Sequence, residues 1–328
     1  MTASFLAAFQ SAGVDQKRRP AGMIIRRGHG QSNFFSFANG TGFTFDPPSG
    51  LKITEEFKPN RSLPPLMSMP AAIMEAFRGR KPTLNFLTWP TFKVTVIAKS
   101  AAPRKGWTIT ARNSHTKRVV TLEVAVLGER RIKLAVRPVQ IPARRPDGGP
   151  APGTRVLHSK KSFDVKAMVA TMNEIWTPQA NVVFTLVSSE PVLIEDSAEI
   201  AKILDLRLTD TAPLPAIVDL QKFKYLLARE KDKSTDLTIF LVEQAADTNP
   251  KVRSPHIVTG ATDTDHLGIA LVGDDRTNQP EVMAHEAGHF MGYPGTHPIS
   301  DPDALMRDGG AAAAWIPYDD VLKYFNPP

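Results

Sequence analysis

Residues 285–289 read His285-Glu286-Ala287-Gly288-His289, and this stretch predicts a helix that presents two histidines to one metal ion. Side chains four positions apart lie on one face of an α-helix, so both imidazoles can reach the same ion. Glu286 then lies beside a water on that ion, and zinc lowers the pKa of such a water to about 7. Small and apolar neighbours, among them Val282, Met283 and Phe290, favour a buried helix over a solvated one.

The third protein ligand has to come from the segment that follows the helix. A glutamate is excluded there, because the sequence contains no Glu after Glu286. His297 is the favoured ligand, and Asp301 is the alternative because carboxylate oxygen also binds zinc. Gly292 can adopt the positive φ that ends a helix and turns the chain back.

Residues 285–306 resemble the metzincin clan of zinc endopeptidases, whose pattern is H-E-x-x-H-x-x-G-x-x-H followed by a Met-turn. Both helix histidines, Glu286 and Gly292 occupy the family's positions. Gly295 stands where the family has its third histidine, and His297 follows two residues later. We interpret this difference as a two-residue extension of the loop, which can bulge without moving the helix.

The resemblance implies roles for further residues. Met306 would be the Met-turn residue beneath the metal. The family's edge strand, which pairs with extended substrate, would be the strand before the zinc helix, with contacts from Gly268, Ile269 and Ala270. Some members use a tyrosine after the zinc site to stabilise the oxyanion, and the candidates here are Tyr293 and Tyr318.

Composition sets the class of protein. The chain has 328 residues, which is long for one domain and comfortable for two. It has no cysteine, so disulfides, cysteine-zinc sites and thiol catalysis are excluded together. The N-terminal residues lack the pattern of a secretory signal, and no run approaches the roughly 18 apolar residues of a membrane helix. We therefore expect a soluble protein without a classical signal peptide, either cytoplasmic or exported by a route independent of one.

Charge divides unevenly between the two halves of the chain. Residues 1–160 contain 26 Lys and Arg against 8 Asp and Glu, whereas residues 161–328 contain 14 against 25. So steep a division favours two modules with different electrostatic partners. The basic half could bind a phosphate-rich polymer, an anionic membrane surface or the acidic half of its own chain, or be an ordinary solvated surface.

The predicted boundary is the Pro- and Gly-rich stretch 141–158, interpreted as a linker that cannot hold a regular ladder. The predicted domains are thus a basic, β-rich N-terminal module at 1–140 and a zinc peptidase domain at 159–328. Within the first, residues 1–82 show little periodicity, and 83–141 predict a small antiparallel module. Its strands would lie at 92–97, 107–110, 119–127 and 132–136, with a hairpin at 128–131.

After residue 158 helices and strands alternate, so the predicted fold class is α+β with a metzincin-like mixed sheet. Asp164 can cap a helix that extends to Trp176. A second helix is predicted at 215–229, and the zinc helix at 280–291. Strands are predicted at 182–187, 236–242 and 267–272, the middle one apolar on both faces as in a central strand.

Together these features predict a zinc-dependent endopeptidase that acts on a protein or a cell-wall peptide. Zn²⁺ would be the cofactor and Glu286 the general base. The alternative is a delivered toxin, effector or binding protein whose basic module targets an anionic surface and whose zinc domain is secondary or inactive. The oligomeric state and the substrate's identity do not follow from the sequence.

Overall fold

The computed structural model shows a mixed α/β protein with several β-sheets and few helices. It describes residues 14–15, 21–26, 31–37, 43–46, 50–58, 91–98, 107–113, 119–144, 150–156, 164–194, 217–219, 228–242, 244–247, 256–258, 260–262, 269–273, 279–299, 301, 303–307 and 313–325. These residues form two compact units. The first reaches Glu129 and includes two short later segments, Pro178–Asn181 and Pro317–Leu322; the second holds the rest.

Two β-sheets make up most of the first unit. One has the strand order β1 (Val14–Asp15), β2 (Ala21–Arg26), β8 (Val119–Leu127), β7 (Trp107–Asn113) and β4 (Phe43–Asp46). The other has the order β3 (Gln31–Phe37), β6 (Thr91–Ala98) and β5 (Leu51–Lys58). Every pair is antiparallel except β2 with β8, which run parallel. Ile25, Ile109 and Leu122 are fully buried in this unit.

The second unit is organised around the long strand β9 (Arg130–Arg144). Along one edge β9 pairs in parallel with β14 (Leu237–Val242), which pairs in parallel with β18 (Ile269–Gly273). The last strand of this order, β17 (Gly260–Thr262), runs antiparallel to β18. The remaining partners of β9 are β10 (Pro150–Val156), β11 (Val182–Ser188) and β12 (Val192–Leu193). A separate small sheet has the order β13 (Ile217–Asp219), β15 (Gln244–Asp247) and β16 (His256–Val258).

Two helices of the second unit matter for the site. Helix α1 (Val165–Ala180) begins as predicted, because the Asp164 carboxylate accepts a hydrogen bond from the Ala167 amide at 3.0 Å. It ends where Asn181 takes a φ of 55°, a left-handed conformation that Asn tolerates. Helix α2 (Gln279–Phe290) contacts β14, β17 and β18. The fully buried Trp176 of α1 donates its indole N–H to the carbonyl of Ala284 in α2 at 3.1 Å.

Several predicted elements are confirmed within the second unit. The strand predicted at 182–187 is β11, and the strand at 236–242 is β14, whose six residues are all buried. β14 lies between β9 and β18, as its apolar composition on both faces indicates. The helix that carries the H-E-x-x-H motif and the strand before it are present within two residues of the predicted bounds.

The predicted linker at 141–158 is wrong. Residues up to Arg144 continue β9, and β10 then pairs back onto β9 in antiparallel register. The prolines are tolerated because, among the strands described, β10 pairs only with β9, and its register shifts between Pro150 and Thr154. The unit boundary therefore falls between Glu129 and Arg130, not at 140 or 158.

Three smaller predictions also need correction. The hairpin at 128–131 is absent, since β8 pairs with β2 and β7 whereas β9 pairs in the second unit's sheet. Residues 1–82, which show little periodicity, contain β1 to β5. The predicted helix at 215–229 contains strand β13, whose Ile217 and Val218 are β-branched residues that fit a pleated sheet, and only 228–230 are helical in the part of this segment that is described.

Across the described residues, no helix is both long enough and apolar enough to cross a membrane.

The place of β9 makes a prediction about fragments. A fragment starting at Arg130 keeps every strand of the second unit's sheet, whereas one starting at residue 159 loses β9 together with the buried Leu134, Val136 and Val139. Without β9, β11 loses its only partner among the described strands, so the shorter fragment should show no cooperative unfolding transition. Circular dichroism melts of the two fragments test this, and a cooperative melt of the shorter one would contradict the central place of β9.

Candidate metal centre

Helix α2 carries the predicted motif and ends at the predicted place. Its last helical residue is Phe290, and Gly292 follows with a φ of +117°. At this φ a side chain would be strained, which explains glycine at the position. The amide of Gly292 donates to the carbonyl of His289 at 3.0 Å, and that of Tyr293 donates to Gly288 at 3.1 Å. The chain is thereby turned back, and the following loop brings His297 to the helix.

Three imidazole nitrogens converge on one point. The Nε2 atom of His297 lies 3.1 Å from Nε2 of His285 and 2.9 Å from Nε2 of His289. The two helix histidines have their own Nε2 atoms 3.1 Å apart. Among the residues that the structure describes, these three form the one cluster of potential ligand side chains close enough to share a metal ion.

Main-chain carbonyls determine which nitrogens of the helix histidines carry hydrogen. Nδ1 of His285 lies 2.6 Å from the carbonyl oxygen of Leu305, and Nδ1 of His289 lies 3.1 Å from that of Tyr293. A carbonyl oxygen can only accept, so Nδ1 must be the donor in both rings. In the neutral imidazole this leaves a lone pair on each Nε2, directed at the common point.

This arrangement fits a bound cation. The Nε2 atoms of His285 and His289 each carry a lone pair and cannot hydrogen-bond to each other, so their approach to 3.1 Å requires a cation, or a hydrogen donated by His297, to lie between them. A tetrahedral ion with metal–nitrogen bonds of about 2.0–2.1 Å holds its ligand atoms about 3.3–3.4 Å apart. The observed separations are a few tenths of an ångström shorter. The three histidines could therefore bind a metal ion.

Burial also favours the neutral form of His289, which is the form that binds a metal ion. Desolvation lowers the pKa of His289, and the positive charge of a protonated His297 would lower it further, while the hydrogen bond to Tyr293 raises it. The net direction is down, so the neutral imidazole that a metal requires is the favoured form at neutral pH.

His297 reaches the group from an uncommon backbone conformation. Its φ is 46°, in the left-handed region that non-glycine residues rarely adopt. Its amide donates to the Pro294 carbonyl at 3.4 Å, so the residues between them form a tight turn. The extra two residues of the loop, which include the exposed Gly295, form this turn and leave α2 regular. Strained backbone at a ligand is a frequent mark of a functional site.

Asp301, the alternative third ligand, is not part of the histidine group. Its Oδ1 accepts a hydrogen bond from the Asp303 amide at 2.9 Å, and its carbonyl accepts one from Ala304 at 3.1 Å. These bonds make a turn of the kind that Asp side chains stabilise. The turn leads into residues 304–306, and the carbonyl of Leu305 in this segment accepts the hydrogen bond from His285.

Met306 packs directly against helix α2. The side chain is fully buried, and a Cβ atom placed on Gly288 would lie 2.3 Å from its sulfur and 2.7 Å from its terminal methyl. Gly288 thus lets Met306 approach the helix between the two histidines. The same turn carries Leu305, so one short segment both supports α2 from below and orients His285.

Glu286 is buried, with 4% of its surface exposed. Burial raises the pKa of its carboxyl group to about 7, although a hydrogen bond from Thr262 opposes the shift. The Thr262 hydroxyl lies 2.5 Å from Oε2 of Glu286 and 2.9 Å from its main-chain carbonyl. A carboxyl group whose pKa lies near neutrality can both take up and release a proton under ordinary conditions.

The predicted substrate strand has a different place in the sheet. Ile269 and Ala270 belong to β18, which pairs with β14 on one side and β17 on the other, so its backbone groups are already engaged. Gly268 lies outside the described residues. The terminal strand of this order is β17, which comes earlier in the chain and runs antiparallel. The prediction used the position of β18 before α2. Its apolar composition is instead that of an inner strand, which is paired on both sides.

The two candidate tyrosines have structural surroundings. Tyr293 is buried, its ring stacks on Phe325 at 6.0 Å, and its carbonyl orients His289. Tyr318 is buried in the first unit, where its ring fills the space that a side chain at Gly22 would need. Both residues thus have packing roles in the structure.

Three residues that serve the site escape sequence reasoning. Thr262 binds Glu286, Trp176 holds α2 through Ala284, and the carbonyl of Leu305 orients His285. A carbonyl has no sequence signal, and Thr262 lies 24 positions from its partner. Trp176 can be placed on the apolar face of α1 from the sequence, but nothing in the sequence links it to Ala284.

No protein-family model and no curated protein matches this sequence. The functional assignment therefore depends on the chemistry of the site itself.

The histidine geometry predicts which variants lose the metal. His297→Ala removes one of three converging nitrogens, so we expect its affinity for the metal to fall steeply. Asp301→Ala removes a carboxylate that bonds within its own turn and is not part of the histidine group, so this variant should keep stoichiometric metal. Elemental analysis and competition with a chelator measure both. Metal retained by the first variant and lost by the second would assign the third ligand to the carboxylate.

Two glycines provide a matched test of the packing beneath α2. Gly288→Ala would force its Cβ against the fully buried Met306. We therefore expect the free energy of unfolding to fall by about 1–3 kcal/mol, despite the better helix propensity of Ala. Gly295→Ala meets nothing within 4 Å and should change the free energy of unfolding by less than about 0.5 kcal/mol. Denaturant unfolding measures the free energy of unfolding of both variants. Equal values for Gly288→Ala and Gly295→Ala would show that Met306 can move aside.

Proposed function

We propose that the chain is a zinc-dependent endopeptidase, with its metal held by His285, His289 and His297 and with Glu286 as general base. The observation that carries the proposal is the convergence of three histidine Nε2 atoms within 3.1 Å beside a buried glutamate. The resemblance of residues 285–306 to the metzincin clan supports it, and so does the buried Met306 beneath the helix.

Zinc is the metal that this ligand set favours. Three neutral imidazoles with no thiolate and no carboxylate are typical of zinc sites that keep a fourth position for water. The hydrogen bonds from Nδ1 to the carbonyls of Leu305 and Tyr293 are the outer contacts that such ligands need to stay oriented. When bound, zinc supplies a Lewis acid that polarises a carbonyl and acidifies a coordinated water.

Glu286 provides the proton transfer. Its carboxylate would accept a proton from the attacking water and deliver it to the amine that leaves when the amide bond breaks. Burial suits it to both steps, because a pKa near 7 leaves neither protonation state strongly disfavoured. The burial also excludes bulk water, which strengthens electrostatic interactions inside the site.

Extended peptide is the substrate class that the sheet can accept. Strand β17 is the last in its order among the described strands, and α2 packs against it. A peptide chain in extended conformation could add to the outer edge of β17 through main-chain hydrogen bonds, which would bring a scissile amide alongside the histidine group. Main-chain pairing of this kind suits a protein or a cell-wall peptide and depends little on side chains.

Glu286→Gln tests the proposed reaction. The amide keeps the shape of the side chain but cannot accept the proton, so kcat/KM should fall by about 10²- to 10⁴-fold while zinc stays bound. Glu174→Gln on the exposed face of α1 is the matched control and should keep full activity. Turnover is measured on an unbiased peptide library. Zinc-loaded wild-type protein without any turnover would refute the peptidase and favour a binding role.

A further inference from the structure

Two residues of β17 touch the carboxyl group of Glu286, which belongs to another element. Gly260 and Thr262 are two positions apart on this strand, so they lie on the same face. That face is turned to α2, because Thr262 bonds to Glu286 and an added Cβ on Gly260 would meet Val282 and Glu286. The strand thus forms one wall around the carboxyl group.

The Thr262 hydroxyl makes two contacts with one residue. It lies 2.5 Å from Oε2 of Glu286 and 2.9 Å from the carbonyl oxygen of the same residue. A hydroxyl has one hydrogen to donate and two lone pairs to accept with. It can therefore donate to the carboxylate, or it can accept from the carboxylic acid while it donates to the carbonyl. The side chain of Glu286 is held in one orientation in either case.

Gly260 lies close to Oε1, the other carboxyl oxygen of Glu286. A Cβ atom at this position would lie 2.5 Å from Oε1 of Glu286 and 2.9 Å from a methyl group of Val282. Glu286 is almost fully buried, so its carboxyl group has little room to move away. The position is therefore suited to glycine by close approach.

We infer that Thr262, together with the space left by Gly260, positions the Glu286 carboxyl group for proton transfer. The inference rests on the proposed function, since it names the residue that holds the general base of that reaction. Thr262 acts through Glu286 and is a positioning residue, not a catalytic one. The strand expected to pair with substrate is thus also the strand that orients the base.

Thr262→Val is the decisive variant, because it keeps the shape of the side chain and removes only the hydroxyl. In the zinc-loaded full-length protein we expect kcat to fall by about 10- to 100-fold, with KM and zinc content little changed. Thr262→Ser keeps the hydroxyl and should recover most of kcat. A Thr262→Val variant with wild-type kcat would overturn the inference. So would equal losses in the Val and Ser variants, because the hydroxyl would then be irrelevant.

Thr238→Val is the matched control. Thr238 is fully buried in β14 of the same sheet, with its hydroxyl 3.1 Å from that of Thr235. In the register Ala270 stands opposite both Ile239 and Thr262, so the neighbouring Thr238 faces the other side of the sheet from α2. This variant should lose some stability and keep kcat. A similar fall in kcat here would assign the effect of Thr262→Val to general weakening of the sheet.

A second measurement does not depend on activity. Thermal unfolding of the full chain, with and without zinc, is compared for Thr262→Val, Glu286→Ala and the double variant. If the two side chains interact, the loss of Tm in the double variant should fall short of the sum of the single losses by about 2–4 °C. Additive losses would overturn the inference even in an active enzyme. If the Tm losses of Thr262→Val and Glu286→Ala are coupled but the protein cleaves no peptide, the contact between the two side chains is supported and the peptidase function is refuted.

Discussion

The site depends on two hydrogen bonds that the main chain accepts from histidine rings. By taking the Nδ1 hydrogens of His285 and His289, the carbonyls of Leu305 and Tyr293 leave the Nε2 lone pairs directed at one point, where His297 adds a third. Each carbonyl has to be placed by its own segment. Gly292 turns the chain so that Tyr293 lies beside the end of the helix, and the Asp301 turn leads into residues 304–306. The ligand geometry is therefore a property of the loop after α2 as much as of the helix.

The elements that sequence predicts well are those whose signal is local. Helix α1 has an Asp cap and an apolar face, β14 is a short apolar run, and the H-E-x-x-H motif indicates its own helix and the histidine pair on one face of it. Prediction fails where pairing over a distance decides. Residues 150–156 form a strand despite their prolines because β9 pairs with them, and the 269–273 strand is internal because β17 pairs with its other side. Neither partner can be recognised from the residues themselves. His297 lies between these cases, since its residue type indicates a ligand but its positive φ and the loop extension cannot be derived from spacing alone.

The charge division along the chain does not coincide with the fold. Strand β9 comes from the basic half of the sequence, and it carries Arg130, Arg131, Lys133 and Arg137 into the unit that contains the histidine group. The Arg137 side chain is engaged within that unit, where its guanidinium donates to the main-chain carbonyls of Glu230 at 2.8 Å and Glu190 at 3.3 Å. This cation from the basic half of the sequence therefore has a structural use in the second unit. A charge boundary in the sequence is for this reason a poor guide to a domain boundary here.

The central position of β9 also has a consequence for how the chain acquires its structure. Synthesis delivers this strand before any of its three parallel partners among the described strands, β11, β12 and β14, and its contact with the start of β14 spans 103 positions of sequence. Until these partners arrive, the core residues Ile132, Leu134, Ala135 and Val136 have no sheet to enter and are exposed to wrong partners. Contacts of such long range close slowly because a large loop has to be ordered first. Arg130, Arg131, Lys133 and Arg137 lie in this strand, and charges at such positions oppose aggregation of an apolar strand that has not yet been paired.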